Sequence, residues 1–366
     1  TWRFDTGGLV QGAAAIGAGK VFAGSRSASV FAVDAGTGEQ QWQHVNEDGS
    51  WVESSPVFDG GVVYIGSSDA LALFALDAES GNTIWEFKTG GWSWSDPVLA
   101  DDVVYIGGLS VSSYYFEGVD LRPGFFAVDQ ETGAGLWEFT PKLVEGFVNG
   151  GVFSTPAIDP PYSYDYRHSS PLNRGGVIYV GSASGILYAI YDDTGLEFWR
   201  FATDGPIRST PVAEGRNIVF GSRDGHVYSV DALRGTLSWR FDTGGLVQGA
   251  AEVGAGKVFA GSRSARVFAL DADTGDEQWQ HVNEDGSWVE SSPEFDDGVL
   301  YLGSSDALAL YALDAESGAT IWEFKTGGWS WSDPVLEDDV VYIGGLSVSS
   351  YYFEGVDLRP GFFAVD

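Results

Sequence analysis

The 366 residues carry 52 Asp and Glu against 19 Lys and Arg, a formal charge of -33 spread along the whole chain, which argues against duplex DNA or RNA as a partner because phosphate binding needs clustered cations. No Cys is present, so disulfides, thiolate metal sites and Cys nucleophiles are ruled out, and no apolar run approaches the roughly 18 residues of a membrane span. Hydrophobic residues at 44% together with 51 Gly describe many short strands and tight turns around a sizeable core.

In chain order, the sequence opens on Thr1-Trp2-Arg-Phe, a single outer-strand pattern with no partner strands before it. A repeating unit follows, clearest in its second copy: Glu53-Ser-Ser-Pro, Gly61-Val-Val-Tyr-Ile-Gly-Ser, Leu73-Phe-Ala-Leu-Asp77-Ala-Glu-Ser-Gly, then Ile84-Trp85-Glu-Phe. Each piece alternates or runs apolar between Gly-rich turns, which predicts four antiparallel strands, A to D. The unit is anchored by a Trp after the Thr-Gly or Ser-Gly turn, at Trp42, Trp85, Trp137, Trp199, Trp239, Trp279 and Trp322, with Trp2 as the eighth. Spacings near 40 residues are the period of a propeller blade, and insertions lengthen the third and fourth units. At that place in an outer strand each Trp is expected to cover the sheet of the next blade.

The chain stops at Phe-Ala-Val-Asp366, where other copies continue into strand D. The strand at Trp2 is therefore expected to complete the last blade and remove an exposed edge. Residues 1 to 129 reappear at 238 to 366 with about 15 substitutions, leaving residues 130 to 237 as the unique part. With no Met, the chain is expected to be a processed form or a fragment, and a cleaved leader is one way to produce it.

Leu310-Tyr-Ala-Leu-Asp314-Ala-Glu-Ser-Gly followed by Trp322 resembles the repeat of the pyrroloquinoline-quinone (PQQ) propeller family, and versions of it cover essentially the whole chain. The expected fold is all-β, a single eight-bladed β-propeller over residues 1 to 366. Dispersed carboxylates with only five Lys suggest a haloarchaeal-type member, kept hydrated in high salt by its acidic surface. The family resemblance leaves two kinds of function open. One is a binding or scaffolding propeller, as in the propeller lipoprotein of the bacterial barrel-assembly machinery. The other is a quinoprotein alcohol dehydrogenase holding PQQ and Ca²⁺ in its funnel, with a sensor domain of a larger protein as a further variant.

The D-to-A and B-to-C loops of a four-stranded propeller share one face, and the residue before each Ser-Ser-Pro element is expected to line the channel. Around the ring these are Gln11, Glu53, Trp94, Phe153, Arg208, Gln248, Glu290 and Trp331. Arg208 is expected to oppose Gln11, and Trp331 to oppose Phe153. Such a mixture of aromatic faces, carboxylates, amides and a guanidinium suits a small-molecule pocket, or simply plugs the funnel. Long loops bearing Tyr114, Tyr115 and Glu117, their copies Tyr351, Tyr352 and Glu354, and an insertion around Glu145 and Asn149 are expected on the same face. Tyr162, Tyr164 and Tyr166 sit in a Pro-rich connection on the opposite face, as protein-contact loops often do.

The acidic turns at Asn46-Glu47-Asp48-Gly49 and Asn283-Glu284-Asp285-Gly286 lack the full alternating ligand pattern of a Ca²⁺ loop. His44, His168, His226 and His281 are too scattered in the repeat for a Zn site or a catalytic triad. No metal is expected. The absence of Cys, the short chain and the lack of a matched Glu, Asn and Asp set disfavour the dehydrogenase reading. The expectation is a non-enzymatic propeller without cofactor, extracellular or at the cell surface of a halophile. It is expected to act as a monomeric ring or part of a larger assembly, engaging a protein, glycan or small ligand on its loop-rich face.

Overall fold

Runs such as Val62-Val-Tyr-Ile combine β-branched and aromatic residues that fit a buried pleated surface, and the turns that bound them reverse the chain within a few residues. In each of several copies the last residue of strand C is an Asp whose Oδ1 accepts the N–H three residues on, as Asp77 does from Ser80 (2.8 Å) and Asp271 from Thr274 (2.9 Å). Such local caps start the turn without needing tertiary contacts.

A computed structural model describes residues 2–46, 49–68, 70–93, 95–109, 124–142, 151–152, 154–159, 176–284, 286–305, 307–326, 330, 332–337, 340–345 and 361–365. Among them every regular element is a strand, and the strands form eight four-stranded antiparallel sheets. Blade 2 is typical, running outward through Val57–Asp59, Val62–Ser67, Ala72–Asp77 and Thr83–Lys88. The innermost strands of blades 1 to 8 are Ala15–Gly17, Val57–Asp59, Val98–Ala100, Ala157–Asp159, Val212–Glu214, Glu252–Gly254, Glu294–Asp296 and Val335–Glu337.

Strand Trp2–Phe4 pairs antiparallel with Gly361–Val365, in the register Trp2 to Ala364, Arg3 to Phe363 and Phe4 to Phe362. The last blade is thus finished by the first strand, as expected from the sequence. In each of the other seven blades the pairing of strands C and D slips by one residue, for example between Ala75 and Leu76. A bulge there raises the local twist.

The core lies between blades. One cluster joins Tyr179, Leu187 and Trp199 of blade 4 to Phe220, Tyr228 and Val230 of blade 5. The anchoring Trp residues reach across each junction and donate Nε1–H to a carbonyl of the next blade: Trp2 to Ala35, Trp42 to Ala78, Trp85 to Gln130, Trp137 to Asp192, Trp199 to Ala232, Trp239 to Ala272 and Trp279 to Ala315, at 2.8–3.1 Å. The indole lies flat on a turn glycine. At Gly81, with φ +72, an added Cβ would sit 2.7 Å from the Trp42 ring, so only glycine satisfies both the left-handed turn and the close approach. Removing such a buried indole is expected to cost on the order of 3–5 kcal/mol.

Candidate functional site

The Ser-Ser-Pro element enters each inner strand from the channel mouth. Its first Ser is structural: Ser54 Oγ accepts Gly66 N–H (2.8 Å) and donates to Gly66 O (3.1 Å). The same bridge recurs at Ser95 with Gly107, Ser209 with Gly221, Ser291 with Gly303 and Ser332 with Gly344. All of these hydroxyls are buried. This bridge pins strand B to the chain entering strand A and turns the residues on either side of it toward the axis.

Those residues form two tiers. Of the eight residues expected to line the funnel, Gln11, Glu53, Arg208, Gln248 and Glu290 border one cavity of ≈ 170 Å³, with Ser55, Asp96, Thr155, Thr210, Ser292 and Asp333 below them. Arg208 and Gln11, four blades apart, line the same cavity. Trp94, Phe153 and Trp331 lie outside the described residues, as do Tyr114, Tyr115, Glu117, Tyr162, Tyr164, Tyr166, Tyr351, Tyr352 and Glu354.

The lower tier is a belt of hydrogen bonds running from blade to blade. Ala13 N–H donates to Ser55 Oγ (2.9 Å), Ser55 N–H to Asp96 Oδ1 (2.5 Å) and Asp96 N–H to Thr155 Oγ1 (3.1 Å). On the other side Ala250 N–H donates to Ser292 Oγ (2.9 Å) and Ser292 N–H to Asp333 Oδ1 (2.5 Å). Ala13 and Ala250 have no side-chain acceptor to extend the belt backward, so it is interrupted before blades 1 and 6.

Burial raises the Asp96 carboxyl above its ordinary range, against the pull of its hydrogen bonds to Ser55 and Thr155. Burial likewise pushes Asp333 up to about 7, with Asp96 and Glu294 adding repulsion. One step further in, Glu252 is raised to about 7 by burial and by Glu294. Burial also raises Glu294. The first copy carries Ala15 and Val57 at the positions of Glu252 and Glu294, so the carboxylate pair is present in one copy of the duplicated segment alone.

The mouth carries arginines the sequence pattern did not single out. Gly-Ser-Arg begins the B-to-C turn of blades 1, 5 and 6, giving Arg26, Arg223 and Arg263. Each turn is held to the neighbouring D-to-A loop through the arginine's own N–H: Arg26 to Leu9 O, Arg223 to Pro206 O and Arg263 to Leu246 O. Arg26 Nη2 bridges Gln11 Oε1 (2.7 Å) and Glu53 Oε1 (2.5 Å). Its copy Arg263 instead gives both Nε (2.8 Å) and Nη2 (2.5 Å) to Glu290 Oε1. Gln248 Oε1 and Glu290 Oε2 are left buried without a hydrogen-bond partner.

Each of these two arginines also stacks on a Trp of the mouth. Arg26 Cζ lies 4.9 Å from the Trp51 ring centroid and Arg263 Cζ 4.6 Å from that of Trp288. These rings remain 44% and 41% exposed, which sets them apart from the anchoring Trp residues.

The turns considered for a cation are braced from within. Asn46 Nδ2 donates to Ser50 O (2.8 Å) and Ser67 Oγ (3.2 Å), and Asn283 repeats this with Ser287 and Ser304. Glu47, Asp48 and Asp285 lie outside the described residues. His44 and His281 each donate Nδ1–H to a turn carbonyl, of Gly81 and Gly318 (3.0 Å), and His226 pairs with Asp224 (3.2 Å). His168 is outside the described residues.

A quinone with Ca²⁺, the pair implied by the resemblance to the dehydrogenases, does not fit the described residues. Ca²⁺ takes six to eight oxygen ligands, with ionised carboxylates among them. Asp96 and Asp333 instead direct Oδ1 at backbone N–H groups of the neighbouring blade. The cavity is also smaller than the roughly 300 Å³ at which pockets for such ligands begin.

Comparison with known proteins agrees with the repeat. A protein similar over 199 residues at 26% identity is the outer membrane protein assembly factor BamB of Shewanella oneidensis, the match covering 51% of this chain and 43% of that protein. The chain thus spans less than half the length of the curated relatives it matches. Among solved structures, BamB from Moraxella catarrhalis superposes with a TM-score of 0.71 at 18% identity, over 94% of this chain and 97% of that one. Quinohemoprotein alcohol dehydrogenase from Comamonas testosteroni gives 0.75 at 16%, over 99% and 75%. At these identities both structures speak for the fold alone. The profile of the PQQ_2 family, described as outer membrane protein assembly factor BamB, matches residues 1–110, 26–139, 124–287 and 284–348, and the chain belongs to that family of PQQ-like β-propellers.

Proposed function

We propose that this protein is a non-enzymatic scaffolding propeller that engages a protein partner through the face bearing the channel mouth. The observation that carries this reading is the pair Trp51 and Trp288, exposed on that face, each with an arginine stacked against its ring. Exposed Trp and Arg in contact are the residue types that dominate binding energy at protein interfaces. Internal duplication presents this cluster twice around one mouth, which suits a broad contact more than a single small ligand. The relatives named as assembly factors support the same direction. That kinship supports a cell-surface or secreted location, and the dispersed acidic surface favours a salt-rich setting.

A photoreactive benzoylphenylalanine placed at position 51 or 288 in the producing cells tests the reading, with position 84 on an outer strand as control. The expected result is an adduct of one defined protein at 51 and 288 and none at 84. Adducts equally abundant at 84, or absent from all three positions, would refute it.

A further inference from the structure

On the face opposite the mouth, one ion pair recurs at two blade junctions. Lys20, the first residue of strand B in blade 1, places Nζ 2.6 Å from Glu79 Oε2 in the C-to-D turn of blade 2. Lys257 of blade 6 repeats this with Glu316 of blade 7 at 2.5 Å. The two lysine side chains are only 11% and 14% exposed, so their methylene stems are covered while the ammonium meets a carboxylate. Each of these junctions thereby seats an alkylammonium group between adjacent blades.

At the junction of blades 2 and 3 the carboxylates remain and the lysine is gone. In the repeat, Glu131 stands where Glu79 does, Asp129 where Asp77 does and Val62 where Lys20 does. Asp59 and Asp102 stand where the first junction has Gly17 and Gly61, which adds two carboxylates to the turns around the empty place. A cavity of ≈ 590 Å³ opens here, within the size range of ligand pockets. Its apolar wall is made by Val62, by Tyr64 and Trp85 with ring centroids 5.8 Å apart, and by Ile84, which is 49% exposed. Asp59, Asp102, Asp129 and Glu131 line the remainder, and no Lys or Arg does. Gln130, in place of Ala78, fixes Asp59 by donating Nε2–H to its Oδ2 (2.9 Å).

We propose that the cavity between blades 2 and 3 binds an alkylammonium group, its charge met by Glu131 and Asp102 and its methylene stem laid against Val62, Tyr64 and Trp85. The chain's own lysines show the same kind of contact at the two equivalent junctions. Carboxylates make charge-assisted hydrogen bonds to an ammonium, and aromatic faces add attraction for a cation. A net charge of -33 concentrates cations near the surface. A free amine and a lysine borne by a protein share this chemistry, and the test separates them. The site lies on the face away from Trp51 and Trp288 and is independent of the partner proposed above.

Ligand-observed NMR titration of the full chain with n-butylammonium, which reproduces a lysine stem, tests the assignment at ionic strength held constant with sodium chloride. Saturable binding is expected, weaker by about fivefold or more in Glu131→Gln and in Val62→Lys, where the chain's own ammonium takes the place as Lys20 does in blade 1. Glu79→Gln makes the same change of charge at a junction that Lys20 already fills, and is expected to leave the affinity unchanged. Glu131 is exposed in its turn, so its variant carries the test if Val62→Lys does not fold. Tighter binding of acetyl-Gly-Lys-Gly-amide than of 1,5-diaminopentane identifies a protein lysine as the ligand, the reverse order a free amine, and equal affinities support the site for the shared group. No binding to the parent chain, or equal affinity in the parent, Glu131→Gln and Val62→Lys, overturns it.

Discussion

Replacing Asp333 by Asn should stabilise the protein, and only at neutral to alkaline pH. Asp333 Oδ1 accepts the Ser292 N–H at 2.5 Å, a bond that an amide oxygen keeps. Burial raises the carboxyl to about 7 from an ordinary 3.8, so between those values the folded chain holds a proton that the unfolded chain has released. Its favourable contribution is therefore complete below pH ~4 and is lost as pH rises through 7. A displacement of about three pH units corresponds to a ceiling of about 4 kcal/mol. Housing the new NH₂ group offsets on the order of 1–2 kcal/mol of that, leaving a net gain of about 1–3 kcal/mol above pH 8. Urea unfolding at pH 4.5 and pH 8.5, at one salt concentration, measures it. A gain of the same size at both pH values, or a loss at pH 8.5, would refute the reasoning.

Restoring the residues of the first copy, Glu252→Ala with Glu294→Val, should stabilise by about 1–2 kcal/mol at pH 8.5. That gain should shrink as pH falls through about 7, where the Glu252 carboxyl takes up its proton, and the same urea titrations check it. Deleting residues 1 to 6 removes the strand paired with Gly361–Val365 and the Trp2 contact to Ala35. The melting temperature should fall far more than after an ordinary terminal trim, and a shift of less than about 2 °C would contradict closure by that strand. Protein incubated with PQQ and Ca²⁺ in high salt should show no dye-linked oxidation of primary alcohols. Turnover would contradict the non-enzymatic reading.

The fold was legible because its determinants are local and repeated. A Trp, a turn Gly and an Asp cap recur in nearly every unit, and each marks the same place in a blade. Closure was legible for the same reason, since Trp2 occupies an outer-strand pattern and its strand pairs with Gly361–Val365. The first tier of the channel followed from position relative to the Ser-Ser-Pro element, and five of its eight residues fall on one cavity.

What escaped were features made by pairs of elements. Arg26 and Arg263 come from B-to-C turns, while Gln11, Glu53 and Glu290 come from D-to-A loops, and only the assembled ring brings them into contact. Their Gly-Ser-Arg signature was present at three places but has no meaning without the turn geometry. Similarly, Asp96 and Asp333 stand out in the sequence as replacements of the second Ser. That they accept a neighbouring blade's backbone N–H depends on the ring's spacing.

The central claim is that the mouth face binds a protein through Trp51 and Trp288. Its most direct measurement is the affinity of the cross-linked partner, once purified, for the parent chain and for the Trp51→Ala, Trp288→Ala double variant. Both rings are over 40% exposed, so the variant should keep the parent's melting temperature while its Kd rises at least tenfold. An unchanged Kd in a folded double variant would contradict the account.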